Sequence, residues 1–246
     1  MRQHLDKILR PFSFGHISTN NIHCFQGNSI VISVSNQDSD VVDSLNSCNF
    51  RKIYGLISQS NMKKDFGSKS WLYPMPVLIV AAYDEQGVPN VMNAAWDGMF
   101  TDETIGICLS AGHKTTKNIL ATRAFTVSMA TVDQVAACDY AGIVSGNKVP
   151  DKFARAGFHA TPSAHVNAPM IDELPMTLEC ELLSYDPASC HLTGRIVNIS
   201  ADESILTDGQ IDLRKLRPIS YDPIHLEYIE LGTTVDKAFS CGKKLK

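Results

Sequence analysis

Lys114, Thr115 and Thr116 stand side by side in the segment Gly112-His113-Lys114-Thr115-Thr116-Lys117-Asn118-Ile119. An apolar strand pattern, Ile105 to Ser110, precedes them, and a helical pattern follows through Ile119 and Leu120 toward Ala124. A helix start leaves backbone N–H groups without intrahelical partners and carries partial positive charge. A cation and two hydroxyls placed there suit an anion, in particular the phosphate of a nucleotide-type cofactor. The same residues also suit a surface turn in which Thr115 or Thr116 caps the helix.

Other chemistries find less support. The neighbouring carboxylates Asp172-Glu173 and Asp202-Glu203 diverge on a strand and mark solvated turns rather than an acid-base pair. The seven cysteines are widely spaced with no Cys-x-x-Cys pair, so they read as reduced thiols rather than metal ligands or a disulfide framework. Cys108 and Cys180 sit in apolar strands as small core residues. No catalytic dyad and no metal site is expected.

With 246 residues and a net charge of −4, the chain can build one good core, and it lacks the Lys/Arg-rich block that nucleic acids or anionic membranes require. A small-molecule partner is expected. No apolar run approaches the roughly 20 residues that span a bilayer, and the first residues lack a signal-peptide pattern, which points to the cytoplasm.

The elements that must position the phosphate-type residues begin after Met62. Residues 1–61 are rich in Ser, Asn and Asp, with only two isolated strand-like runs, Ile30 to Val34 and Ile53 to Ile57. Two short strands cannot bury enough surface to hold themselves, so 1–61 reads as a poorly ordered extension or the product of an upstream start codon. Residues 62–246 read as the working domain. Val77 to Tyr83 predicts a strand, closed by the turn Asp84-Glu85-Gln86-Gly87, with Val88 to Ala95 as its hairpin partner. Strands follow at Thr104 to Ser110, Phe125 to Met129, Met176 to Tyr185 and His191 to Ser200. Helices are expected after Thr115, at Val132 to Tyr140, at Asp151 to Gly157 and at Ile211 to Leu216. Many strands, few helices and tight turns predict a closed antiparallel barrel with helices at its rim. No Gly-x-Gly-x-x-Gly follows any strand, so a dinucleotide fold is not expected.

Several ordered pieces carry a resemblance: Pro74-Met75-Pro76, Asn93-Ala94-Ala95-Trp96, His113 to Ile119, Asp139 to Phe153, Ile171 to Pro175 and Leu216 to Ile219. From Met62 onward the chain resembles the flavoredoxin branch of the flavin reductase-like family, FMN-binding split β-barrels of antiparallel Greek-key type with a few peripheral helices. The resemblance implies a homodimer with FMN near the subunit interface. It also implies that Lys114, Thr115 and Thr116 hold the FMN phosphate, and that Ser110 and Asn118 hold ribityl or phosphate oxygens, each with an alternative as a cap or turn residue. The backbone of the segment Met92 to Trp96 would meet the polar edge of the isoalloxazine ring, with Ala94 and Ala95 small enough to let it approach, and the Asn93 side chain, which both donates and accepts, would match that edge. Trp96 would lie against the ring or form part of the pocket wall, with a plain core aromatic as the alternative, and His113 would approach the ring or sit in the turn. Asn147 and Lys152 would contact FMN from the neighbouring subunit or a nicotinamide donor. In such a protein the cofactor carries the chemistry and the polypeptide supplies orientation and electrostatics. Three functions stay open: an NADH- or NADPH-dependent flavin reductase with hydride transfer to flavin N5, a flavoredoxin-type electron carrier reduced by another redox protein, and a non-catalytic flavin-binding module.

Overall fold

The computed structural model describes residues 63–245. The strands expected at Ile30 to Val34 and Ile53 to Ile57, and the thiols Cys24 and Cys48, lie outside the described residues. The chain divides into a unit ending at Gly67 and a second unit from Ser68 to Lys246. In the described part of the first, residues 63–67, Lys64 Nζ lies 5.4 Å from the centre of the Phe66 ring. All that follows concerns the second unit.

A seven-stranded antiparallel sheet organises this unit. Its strands are β2 (Leu78–Tyr83), β3 (Pro89–Ala94), β4 (Asp97–Thr101), β5 (Thr104–Cys108), β6 (Ala124–Met129), β9 (Met176–Asp186) and β10 (His191–Ala201), in the order β3-β2-β6-β9-β10-β5-β4. A short strand, β1 (Met75–Pro76), pairs with β13 (Ile219–Asp222), which pairs in turn with β14 (Glu227–Glu230). Two small hairpins, β7 (Ala160–Pro162) with β8 (Pro169–Ile171) and β11 (Leu206–Thr207) with β12 (Gln210–Ile211), complete the strands. The helices are α1 (Lys114–Thr122), α2 (Val135–Ile143) and the single turns α3 (Lys152–Arg155) and α4 (Leu213–Leu216).

The continuous apolar run of β2 follows from its position. Leu78, Val80 and Ala82 enter one core, together with Ile119 of α1 and Phe125, while Ile79 and Ala81 enter a second core with Cys138 and Ala141 of α2. A strand buried on both faces has no polar face to alternate with. In the first core Phe125 is fully buried, and its ring occupies the space above Gly194 of β10. A register shift between Thr193 and Gly194 marks the same point. The buried Ser220 Oγ accepts from Met75 N at 3.1 Å and donates to Met75 O at 2.9 Å, tying β1 to the C-terminal hairpin.

The fold is the split barrel that the resemblance implies, and the expected closed ladder needs correction. Among the described residues β3 and β4 remain edge strands with no ladder between them. The strand β4 falls where no strand was expected. The helix expected at Ile211 to Leu216 shortens to α4, because Ile211 pairs with Leu206 instead. Among the described residues no helix is long and apolar enough to cross a membrane.

Candidate functional site

The helix α1 starts at Lys114, ahead of both threonines. His113 occupies the N-cap with extended backbone (φ −71°, ψ 141°), contributes no side-chain cap, and no acidic side chain lies in the first turn. The expected Thr cap is therefore corrected: Thr115 and Thr116 lie inside the helix and turn inward, where both are buried. Thr115 Oγ1 accepts from Asn90 Nδ2 of β3 at 2.7 Å. Thr116 Oγ1 is buried without a hydrogen-bond partner among the described residues.

Lys114 projects back toward the β2–β3 turn, where its Nζ meets Asp84 Oδ2 at 3.4 Å. Asp84 Oδ1 also closes that turn, accepting from Gln86 N and Val88 N. Desolvation pushes the Asp84 carboxyl upward, but these N–H groups and Lys114 outweigh it and hold the group below its usual value. Lys114 is thus a cation with a counterion.

The second cation arrives from far along the chain. Lys152 begins α3 and is only 3 % exposed. Among the described residues no hydrogen bond or ion pair reaches its Nζ, and desolvation brings its pKa down to about 8. After desolvation, its charge is also a cause of the lowered pKa of His113, so the ammonium acts electrostatically on the N-cap of α1. The loop leading to α3 is fastened to the same point: Asn147 Nδ2 donates to Gly112 O at 2.9 Å, and Gly146 packs so closely on Asn90 that a Cβ would stand 2.2 Å from Asn90 Oδ1. Ser110 is exposed in the turn, with its Oγ 3.4 Å from Gly112 N.

The structure therefore gathers Ser110, His113, Lys114, Asn147 and Lys152 at the N-terminus of α1, with Thr115 just beneath. Asn118 is not among them: it is buried under α1 and donates to Ala82 O at 3.4 Å, joining the helix to β2. Asn93 turns to the opposite face of β3, where its Nδ2 lies 3.4 Å from Cys138 O and its Cβ would touch any side chain added at Gly142. Ala94 is buried in the first core. Beyond it, Ala95 and the half-exposed Trp96 line a groove of about 330 Å³ together with Trp71, Pro74 and Asp97. Asn90 and Ala94 stand at the two ends of β3, roughly 13 Å apart at the rise of an extended strand.

Two residues of this region escaped the sequence reading. Asn90 left one signal, a polar side chain inside an apolar strand pattern. Asp97 left none beyond its place after Trp96. Among the described residues no cluster of three or more His, Cys, Asp or Glu could hold a metal.

The arrangement fits a phosphate-bearing cofactor with a planar end. Among the described residues the buried ammonium of Lys152 meets no anion, and the first turn of α1, whose N-cap feels its charge, carries no acidic residue; both favour a phosphate dianion. The apolar groove beyond the far end of β3 suits a flat ring. FMN has these two ends, joined by a ribityl chain.

Comparison with known proteins gives the family and the fold. The family model described as "Flavin reductase like domain" matches residues 70–220. The flavoredoxin of Desulfovibrio vulgaris (Miyazaki F) is similar, with 37% identity and a TM-score of 0.70 over 74% of this chain and 100% of that one. The flavoredoxin from Methanosarcina acetivorans shares 26% identity with a TM-score of 0.69, over 75% of this chain and 100% of its own. An FMN-binding domain of a flavin reductases-like enzyme from Shewanella baltica OS155, at 20% identity, shares the fold with a TM-score of 0.59 over 66% of this chain and 88% of its own.

Proposed function

Because the chain belongs to the flavin reductase-like domain family, we propose that it binds FMN with the phosphate at the N-terminus of α1 and the ring toward Trp96, and works as an NAD(P)H-dependent flavin reductase. The observation that carries the reading is Lys152, a buried amine with no anion of its own beside a helix start. FMN, when bound, supplies the two-electron chemistry through its ring. The polypeptide binds and orients: Lys152 and the first-turn N–H groups of α1 compensate the phosphate, Asn147 and Asn90 fix the backbone around it, and Trp96 forms a wall of the groove. His113, held below its ordinary pKa, stays neutral at the turn and leaves the cationic role to the lysines.

The similarity to two flavoredoxins supports a second reading, an electron carrier reduced by another redox protein. An absorption spectrum of the purified protein followed by anaerobic titration with NADH and NADPH separates the readings. Bleaching of bound flavin by either nucleotide supports the reductase. A yellow protein that neither nucleotide bleaches supports the carrier. A colourless protein that ignores added FMN rejects both. A homodimer accords with the open edge strand β4, whose Met99 and Phe100 are about half exposed.

Two expected outcomes refine the proposal. Lys114→Ala weakens FMN binding by about 0.5–1.5 kcal/mol, less than an unpaired cation would, because Asp84 already holds part of its charge. Fluorescence titration measures this, and an unchanged affinity removes Lys114 from the site. A chain beginning at Met62 folds and binds flavin as the full chain does, since the family match begins at residue 70. Loss of yellow colour or of the thermal transition in that shortened chain would assign residues 1–61 a part in the fold.

A further inference from the structure

Asp97 belongs to neither core nor phosphate cradle. It opens β4 directly after Trp96, on the wall of the groove that Trp71, Pro74 and Trp96 also line. Its backbone is fixed: Asp97 pairs with Ile107 of β5, and Cys108 N donates to Trp96 O at 2.9 Å. Yet its Oδ2 is buried and takes no hydrogen bond from any described residue. Glu179, a deeply buried carboxylate of β9, shows the contrast, since it accepts from Ser163 Oγ, Asn198 Nδ2 and Ser200 Oγ. A carboxylate within a fixed structural network collects donors in this way. Asp97 instead lines, as a partly exposed residue, a groove able to receive a ligand, and its carboxyl lacks such a set of donors.

A buried carboxylate without a donor is costly, and such a group retains its proton. Desolvation raises the Asp97 carboxyl to about 7. The charged and titratable groups around it are few. Lys69 lines the same groove, with its Nζ 5.9 Å from the Trp71 ring centre. The groove thus offers a hydrogen-bond donor beside indole and proline surfaces. A flat heteroaromatic ring with a carbonyl or imine acceptor on its edge complements both features.

Resting on the FMN reading above, we propose that Asp97 is a ring-recognition residue whose protonated side chain donates a hydrogen bond to an acceptor on the edge of the isoalloxazine ring. The sign of the pH effect follows. Below the carboxyl's titration the donor is present. Above it the donor is lost and a negative charge faces an acceptor edge, so ring affinity falls as pH rises.

The test is fluorescence titration of the full-length protein with FMN and with riboflavin between about pH 5.5 and about pH 9, in wild type, D97N and D97L. Riboflavin lacks the phosphate, so it removes the phosphate's own ionisation near pH 6 and the titration of Lys152 from the comparison. Wild-type riboflavin affinity is expected to fall roughly tenfold across this range. D97N, whose amide donates at every pH, stays near the wild type's low-pH affinity, and D97L stays weak throughout. An identical pH profile in wild type and D97N overturns the proposal, as does wild-type affinity in D97L at low pH. If both flavins bind with no pH dependence in wild type, Asp97 alone is refuted. If neither flavin binds wild type at any pH, the FMN reading falls and this proposal with it.

Discussion

Lys152→Met is expected to weaken FMN binding by about 1.5–3 kcal/mol, roughly 10- to 150-fold, while leaving the unliganded protein at least as stable as before. Methionine preserves most of the buried stem and removes only the ammonium. In the unliganded protein that ammonium has lost water and gained no anion, so removing it relieves a desolvation penalty. In the loaded protein the same ammonium meets the phosphate, and its removal leaves the anion with the helix N–H groups and Lys114, whose charge Asp84 already holds in part. Titration by flavin fluorescence and a thermal melt without flavin measure the two effects separately. The sign with pH follows from the lowered pKa. Lys152 is charged below about 8 and loses its proton as pH rises through that value, so wild-type FMN affinity should decline there. In Lys152→Met that decline disappears. Unchanged affinity in the variant would move the phosphate away from α3, and a melt at lower temperature would show that the amine stabilises the fold.

The largest effect on stability is expected at Phe125. Phe125→Ala should destabilise the protein by about 3–5 kcal/mol, because a fully buried ring is removed from between β2, β9 and β10. The opposite change tests the same contact. A Cβ at Gly194 would stand 2.4 Å from Phe125 Cζ, and the buried ring has little room to retreat, so Gly194→Ala should cost about 1–3 kcal/mol. Combining Gly194→Ala with Phe125→Leu should recover part of that loss. Chemical denaturation of the three variants decides the matter, and additive losses in the double variant would deny the contact.

How far these features can be read from the residues depends on the range of the interactions behind them. The run Leu78 to Tyr83 announces a strand because burial on both faces leaves its own residues apolar. The long hairpin of β9 and β10 is similarly legible, being held by neighbours in sequence. The strand β4 is not: Asp97-Gly98-Met99-Phe100-Thr101 has no alternation and includes a glycine, and it becomes a strand by pairing with β5. Closure of a barrel is likewise a relation between distant edges, which local patterns do not encode.

The candidate site divides along the same line. A cation beside a helix start is visible at Lys114, but the carboxylate that occupies it comes from the β2–β3 turn. The two threonines look like caps, yet the helix begins at Lys114 and carries them inward. Lys152 gains its significance from burial and from its approach to His113, neither of which its sequence neighbours reveal. Asn93 shows the converse: its side chain looks suited to a flavin edge, and strand geometry turns it toward α2.

The contact between Gly146 and Asn90 links two stretches of chain that would otherwise vary independently. One partner contributes an amide and the other the lack of any side chain. A descendant that acquires even a methyl group at 146 must surrender the asparagine's position, and with it the brace under Thr115. Inspecting those two alignment columns together would therefore reveal which members of a lineage have kept the anchor and which have abandoned it.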